Sequence, residues 1–140
     1  MQYKPVYFKI TELVNPKLLA EIGEETAWKL FDDRLLKAAD EVRKKYGPCT
    51  VNGNGLTDCG LRDINSPTGA KFSAHKLGRA LDLHIVSIEK KYTNKKEKTQ
   101  AYNKIREQMM IDPKFDKLNS EKASKEYKDG IPWIHVDTLN

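Results

Sequence analysis

Apolar residues recur at three-to-four spacing from Ala27 through Leu30, Phe31, Leu35, Ala38 and Val42 to Tyr46. That spacing predicts one long amphipathic helix over roughly residues 24–46. Glu24 and Glu25 near its start and Arg43, Lys44 and Lys45 near its end suit the helix dipole. Gly47 is a natural stop and Pro48 prevents continuation. Trp28 on this helix is read as core or groove wall. Upstream, Asn15-Pro16 reads as an N-cap followed by proline at the first helical position. Leu18, Leu19 and Ile22 give that first helix an apolar face, and Gly23 breaks it. Residues 1–10 read as an extended segment anchored by Tyr3, Tyr7 and Phe8, with a short turn over Thr11 to Val14.

The period changes at GRALDLHIV, residues 78–86. This dense apolar run predicts a buried strand entered through a turn at Lys76–Gly78. Alternation puts Ala80, Asp82 and His84 on one face and Leu81, Leu83 and Ile85 on the other. Shorter strands are expected near 49–52 and 132–138, the latter with Trp133, His135 and Asp137 on one face. Between the first two lie a turn at Gly53-Asn-Gly55 and a long irregular loop over 56–69 that contains Arg62. After the central strand, residues 87–98 leave the core. A helix over Thr99 to Met110 should turn Tyr102, Ile105, Met109 and also Met110 inward, and Asp112-Pro113 should end it. Lys114 to Lys128 is charged and reads as a short helix or a lid, before a turn at Asp129-Gly130. The expected class is α+β, a long helix packed on a small antiparallel sheet with the 53–72 loop as roof.

Composition narrows the picture. A chain of 140 residues, 39% hydrophobic and 32% charged, fits one globular domain spanning 1–140. No apolar run approaches the roughly 20 residues of a membrane helix. MQYKPVYFKI lacks the apolar core of a signal peptide, so the expected location is cytoplasmic. The net charge of +5 favours anionic partners such as cell-wall polymers. The basic run Lys90–Lys98 is interrupted by Glu97 and carries no nucleic-acid motif, so no specific nucleic acid is expected. Cys49 and Cys59 lie outside Cys-x-x-Cys spacing and are expected as free thiols. A monomer is expected.

The candidate chemistry lies in the histidines. The chain has three, His75, His84 and His135. His75 precedes the central strand, Asp82 lies within it and His135 lies in the last strand. A carboxylate in an apolar strand needs a cation or strong donors beside it. Two imidazoles and one carboxylate suit a catalytic Zn²⁺ that keeps a fourth position open for water. The alternative is that all three are hydrogen-bonded structural residues.

Ser73-Ala-His75-Lys-Leu-Gly78-Arg-Ala80-Leu-Asp82 resembles the Ser-x-His-x-x-Gly-x-Ala-x-Asp pattern of the zinc D-alanyl-D-alanine peptidases, which share a fold with the Hedgehog signalling domain. Trp133-Ile-His135 resembles the Trp-x-His that closes that family, and Phe8-Lys-Ile-Thr-Glu12-Leu13 is similar to the start of its small phage and prophage members. The resemblance implies a Hedgehog/DD-peptidase-like fold and a zinc peptidase that hydrolyses peptidoglycan stem peptides. It would act as a carboxypeptidase or as an endolysin-type endopeptidase, released to the cell wall on lysis. It implies His75, Asp82 and His135 as metal ligands and Ser73 as a hydrogen-bonding support of the site. Arg62 and Trp133 are implied on the substrate side, Arg62 for a carboxylate. Many members carry a catalytic acid three residues before the last histidine, where this chain has Pro132. Asp129, at the Hedgehog-like position, and Asp137, two residues after His135, are the candidates for the base. Pro132 also leaves open a second reading, a catalytically weak metal-binding domain that acts as a cell-wall-binding or phage structural component.

Overall fold

The computed structural model describes residues 2–68, 73–115 and 126–138. The chain opens with an extended segment tied to the body of the fold by one buried carboxylate. Asp40 accepts hydrogen bonds from the Tyr3 hydroxyl and from the backbone N–H groups of Val6, at 2.9 Å, and Tyr7, at 3.2 Å. Phe8 is buried, while Tyr7 stays exposed under the Arg43 guanidinium. A helical turn, α1 (Ile10–Leu13), takes the place of the expected turn at 11–14. In α2 (Pro16–Ile22) the Asn15 side chain accepts from the N–H groups of Lys17 and Leu18, and Gly23, at φ +80, closes the helix.

The single helix expected over 24–46 is two helices, α3 (Glu24–Leu30) and α4 (Asp33–Tyr46). Phe31 and Asp32 are extended between them. The Asp32 carboxylate caps α4 by accepting from the Arg34 N–H at 2.9 Å, an interaction that contributes about 1 kcal/mol. The Asp32 N–H, freed from any helix, donates to the Gly78 carbonyl at 3.1 Å. The apolar stripe runs on through the break because both helices face one core: Ala27, Phe31, Leu35, Ala38 and Val42 are all buried.

The sheet has the order β1-β2-β3 and is antiparallel throughout, formed by β1 (Cys49–Thr50), β2 (Ala80–Ile85) and β3 (Ile134–Asp137). Cys49 pairs with Ile85, and Asp82 pairs with His135. Leu81, Leu83, Ile85, Ile134 and Val136 join the core on the face packed by α4, so the opposite face carries Asp82, His84 and His135. The chain leaves β2 directly into α5 (Val86–Lys91) and then α6 (Lys95–Ile111). α6 starts four residues before the expected Thr99 because the Asn94 side chain caps it by accepting from the Glu97 N–H at 2.8 Å. Tyr102, Ile105 and Met109 are buried as expected, but Met110 is exposed and Arg106 takes the remaining inward position. The Tyr102 hydroxyl accepts from the Ile85 N–H at 2.9 Å and donates to Glu89 at 2.9 Å, which joins α6 to the end of β2. Most of the expected helix or lid over 114–128 lies outside the described residues; 126–129 form a helical turn. Among the described residues no helix is long and apolar enough to cross a membrane.

Candidate metal centre

Asp82 sits in the middle of β2, with burial on both faces. Its backbone N–H does not meet a neighbouring strand; it donates to the Cys59 carbonyl at 2.7 Å, which lays the 56–68 loop along the sheet edge. That loop is anchored at its other side by Leu61, whose N–H donates to the Leu13 carbonyl at 2.7 Å. The contact leaves no room at Gly60, where a Cβ would come within 1.9 Å of the Leu13 oxygen. The Gly60 carbonyl is thereby fixed in place. His75 Nδ1 lies 3.1 Å from it. A carbonyl only accepts, so Nδ1 carries a hydrogen and Nε2 is the nitrogen turned to the centre. Nε2 points at Asp82, 3.3 Å from Oδ2.

His75 belongs to a short 3-10 turn, Ala74–Leu77, ended by Gly78 in the left-handed region at φ +69. A side chain at Gly78 would also collide with the Leu30 carbonyl, its Cβ 1.9 Å from the oxygen. The turn reverses the chain so that His75 folds back over β2. His135 arrives from β3, directly across from Asp82 in the sheet register. Its Nδ1 lies 2.9 Å from Asp82 Oδ1 and its Nε2 lies 2.9 Å from Asp137 Oδ2. The His75 and His135 ring centroids are 5.3 Å apart. One donor atom each from His75, Asp82 and His135 lies within 4.8 Å of the others, and the three can hold a metal ion.

The electrostatics follow from this closure. Burial pushes the Asp82 carboxyl up, but hydrogen bonds to His135 and His75 more than offset it and hold the group well below the usual carboxylate range. Burial disfavours a charged His135, yet its hydrogen bonds to Asp137 and Asp82 push it up to about 9. Without an ion, these hydrogen bonds favour the imidazolium form of His135, and the Arg62 guanidinium supplies a second positive charge beside Asp82.

The other residues expected at the site fall in different places. Arg62 is beside it: Nη2 lies 3.7 Å from Asp82 Oδ2, and Nε donates to the Asp58 backbone carbonyl at 2.6 Å. Its ion pair is with Asp82. Ser73 lies just before the turn; its hydroxyl is buried and makes no hydrogen bond among the described residues, so the expected support is not formed there. Trp133 is half-buried, its ring 5.9 Å from that of His84. The pair continues the row of Asp82 and His135 by one step. Burial keeps His84 below its ordinary pKa, and its Nδ1 is buried without a hydrogen-bond partner among the described residues. Asp137 is fully buried against His135, on the side away from Asp82. Asp129 is exposed.

Glu126 was not anticipated. Its side chain is mostly buried at the start of the 126–129 turn, 3.7 Å from Arg106 Nε. Burial pushes its carboxyl up to about 7, against the charges of His135 and Arg106, which pull it down. It lies nine residues before His135, in a charged stretch with no periodic signal, so nothing in the sequence singles it out. Cys49 and Cys59 are free thiols, and burial pushes them up to about 12 and about 11, which leaves them protonated and unreactive. No family model, curated protein or solved structure matches this chain.

Proposed function

We propose that the chain is a zinc-dependent peptidase of the Hedgehog/DD-peptidase type that hydrolyses the stem peptides of peptidoglycan. One observation carries this reading. Each imidazole is gripped at its far nitrogen by an acceptor, Gly60 O for His75 and Asp137 for His135, and turns its near nitrogen to Asp82. Ligand histidines held by carbonyls and carboxylates in this way are a general feature of zinc sites, where the partner fixes tautomer and orientation. The donor set of two nitrogens and one carboxylate suits Zn²⁺ with one position left open. Bound there, Zn²⁺ would supply Lewis acidity towards the scissile carbonyl and towards a water whose pKa it lowers to about 7.

The chain's own groups supply the rest. In this reading Asp137 orients His135 and is not the base. Asp129 is exposed at the end of the 126–129 turn. The base in this reading is Glu126, a mostly buried carboxylate paired with Arg106 just ahead of β3, and its raised pKa is compatible with that task. A Glu126 carboxylate oxygen takes a proton from the attacking water as its oxygen adds to the carbonyl carbon. It returns that proton to the amine nitrogen as the C–N bond breaks. Arg62, with one of its five N–H donors occupied by the Asp58 carbonyl, holds a substrate carboxylate beside Asp82.

A second reading keeps the metal and drops the chemistry. It is favoured by Pro132 at the usual acid position and by the exposure of Asp129. Zinc analysis of the purified chain, followed by mass spectrometry of synthetic stem peptides, separates the two. The enzyme reading expects one zinc per chain and hydrolysis abolished by a chelator. Stoichiometric zinc with intact peptides selects the second reading, and no zinc on adding it back removes both.

A further inference from the structure

Arg106 is the largest fully buried side chain, 1% exposed, on a helix that contributes no metal ligand. Burying a guanidinium is expensive unless its donors are satisfied. Its partners have a pattern. Nη1 donates to Asn103 Oδ1 on α6 at 2.6 Å. Nη2 donates to the backbone carbonyls of Ile131 and Trp133. Nε faces Glu126 at 3.7 Å. Three of the four partners lie on the segment that leads into β3.

The two carbonyls bracket Pro132, which has no N–H to give a strand ladder. Sheet pairing begins only at Ile134, opposite Leu83. Arg106 therefore holds the backbone at the point where the ladder is missing, one residue before the strand that presents His135. A planar guanidinium holds two carbonyls and the Asn103 amide oxygen at fixed angles, which an ammonium cannot do, while Nε makes no hydrogen bond among the described residues and meets Glu126 as an ion pair.

We propose that Arg106 is a positioning residue of the metal centre. By fixing the carbonyls on either side of Pro132 it sets the entry of β3, and so places the His135 ring between Asp82 and Asp137. By pairing with Glu126 it restrains that carboxylate; this second role rests on the reading of Glu126 as base.

The test uses the full chain as Arg106→Lys, which keeps the charge, and Asn103→Ala, which loosens the guanidinium without removing it. Amide hydrogen exchange of the metal-free protein is read first. Arg106→Lys should lose at least about tenfold protection across Ile134–Asp137 while α4 keeps its protection, and Asn103→Ala should give a smaller change at the same amides. Zinc affinity, by competition with a chelator, should fall roughly 10–100-fold in Arg106→Lys, the usual range for a group that orients a ligand. For stem-peptide hydrolysis, kcat should fall with KM little changed. A uniform loss of protection marks a residue that serves global stability alone and overturns the proposal. So does unchanged protection and zinc affinity in a folded Arg106→Lys; should that variant not fold, unchanged β3 protection in Asn103→Ala overturns it. If the wild-type chain takes up no zinc or cuts no peptide, the functional reading fails, and the exchange pattern still decides the role of Arg106.

Discussion

The Nε2 of His135 lies 2.9 Å from a carboxylate oxygen of Asp137, two positions further along the same strand face. Since Nδ1 faces Asp82, the ring is held from behind by one carboxylate and offered forward to another. A partner of this kind fixes the ring's tautomer and raises its basicity, and its loss typically weakens metal binding 10–100-fold. Asp137→Asn keeps the size of the side chain but not its charge. It should bind zinc about tenfold more weakly, and Asp137→Ala more weakly still, as read by chelator competition. Equal affinity in all three proteins would show that Asp137 plays no part in holding the ring.

Stability of the metal-free chain should fall between neutral and mildly alkaline pH. His135 is raised from 6.5 to about 9, so its contribution is complete below about 6.5 and lost as pH rises through about 9. Glu126, raised from 4.5 to about 7, acts in the same sense over a lower window. Asp82 acts oppositely: its contribution is present above its ordinary value and lost only in strong acid. The optimum without metal therefore lies at about pH 4 to 4.5, with the Glu126 contribution lost first as pH rises and that of His135 after it. The His135 network carries on the order of 3 kcal/mol, which corresponds to a Tm roughly 10 °C lower at pH 9 than at pH 6. Thermal unfolding with a chelator present measures this, and His135→Gln should flatten the curve. Zinc should reverse the trend, because it binds the deprotonated ring. A metal-free Tm that rises from pH 6 to pH 9 would contradict the charge network.

Under the proposed reading, Glu126→Gln separates the base from the metal ligands. The variant should bind zinc nearly as well as the parent and lose at least about 10²-fold in kcat, the usual worth of a positioned base. Asp129→Ala should change kcat less than about threefold, because that side chain is exposed. The opposite ranking would return the base to Asp129.

The sequence read well where one local rule acted without competition. Asn15-Pro16 started a helix, Gly23 ended it, and the alternation in Ala80–Ile85 placed Asp82 on the face opposite the core. The convergence of His75, Asp82 and His135 could be anticipated because Asp82 and His135 lie on strands that pair. The misses came where a polar group outweighed an apolar pattern. Asp32 broke the 24–46 helix through a cap and a bond to Gly78, while the stripe stayed continuous. Arg106 lies four residues after Tyr102 and three before Met109, squarely on the inward stripe. Its charge argued for solvent, and only the carbonyls of Ile131 and Trp133, distant in sequence, explain its burial. Glu126 was hidden for the same reason.

Gly78 should tolerate no side chain. Its φ of +69 disfavours any L-residue, and the Leu30 carbonyl occupies the place of a Cβ. Backbone on both sides means neither can yield without moving the His75 turn or the end of α3. Gly78→Ala should lower stability by at least about 2 kcal/mol, with a Tm drop of roughly 6 °C or more. Zinc affinity should fall as well, since the turn that aims His75 would shift. A variant as stable as the parent would show that the turn can open at little expense.

If the chain hydrolyses stem peptides as proposed, Arg62 offers a way to learn which bond is cut. Its Nη2 lies 3.7 Å from Asp82, so the guanidinium borders the metal cage itself. If it receives a free terminal carboxylate, peptides with that carboxylate should bind far better than the same peptides amidated at the C-terminus. Arg62→Gln should then raise KM about 10–100-fold for the free acid, a loss of roughly 1.4–2.7 kcal/mol in line with a charge-assisted bond. The amidated peptide should be cut equally by both proteins. Lysine at this position should recover little of the loss, because it lacks the planar fork. The free-acid pattern would identify a carboxypeptidase, which removes the terminal residue. An Arg62 variant that loses kcat on both peptides with KM unchanged would place the guanidinium on the reacting carbonyl or on Asp82, and would point to cleavage within the stem.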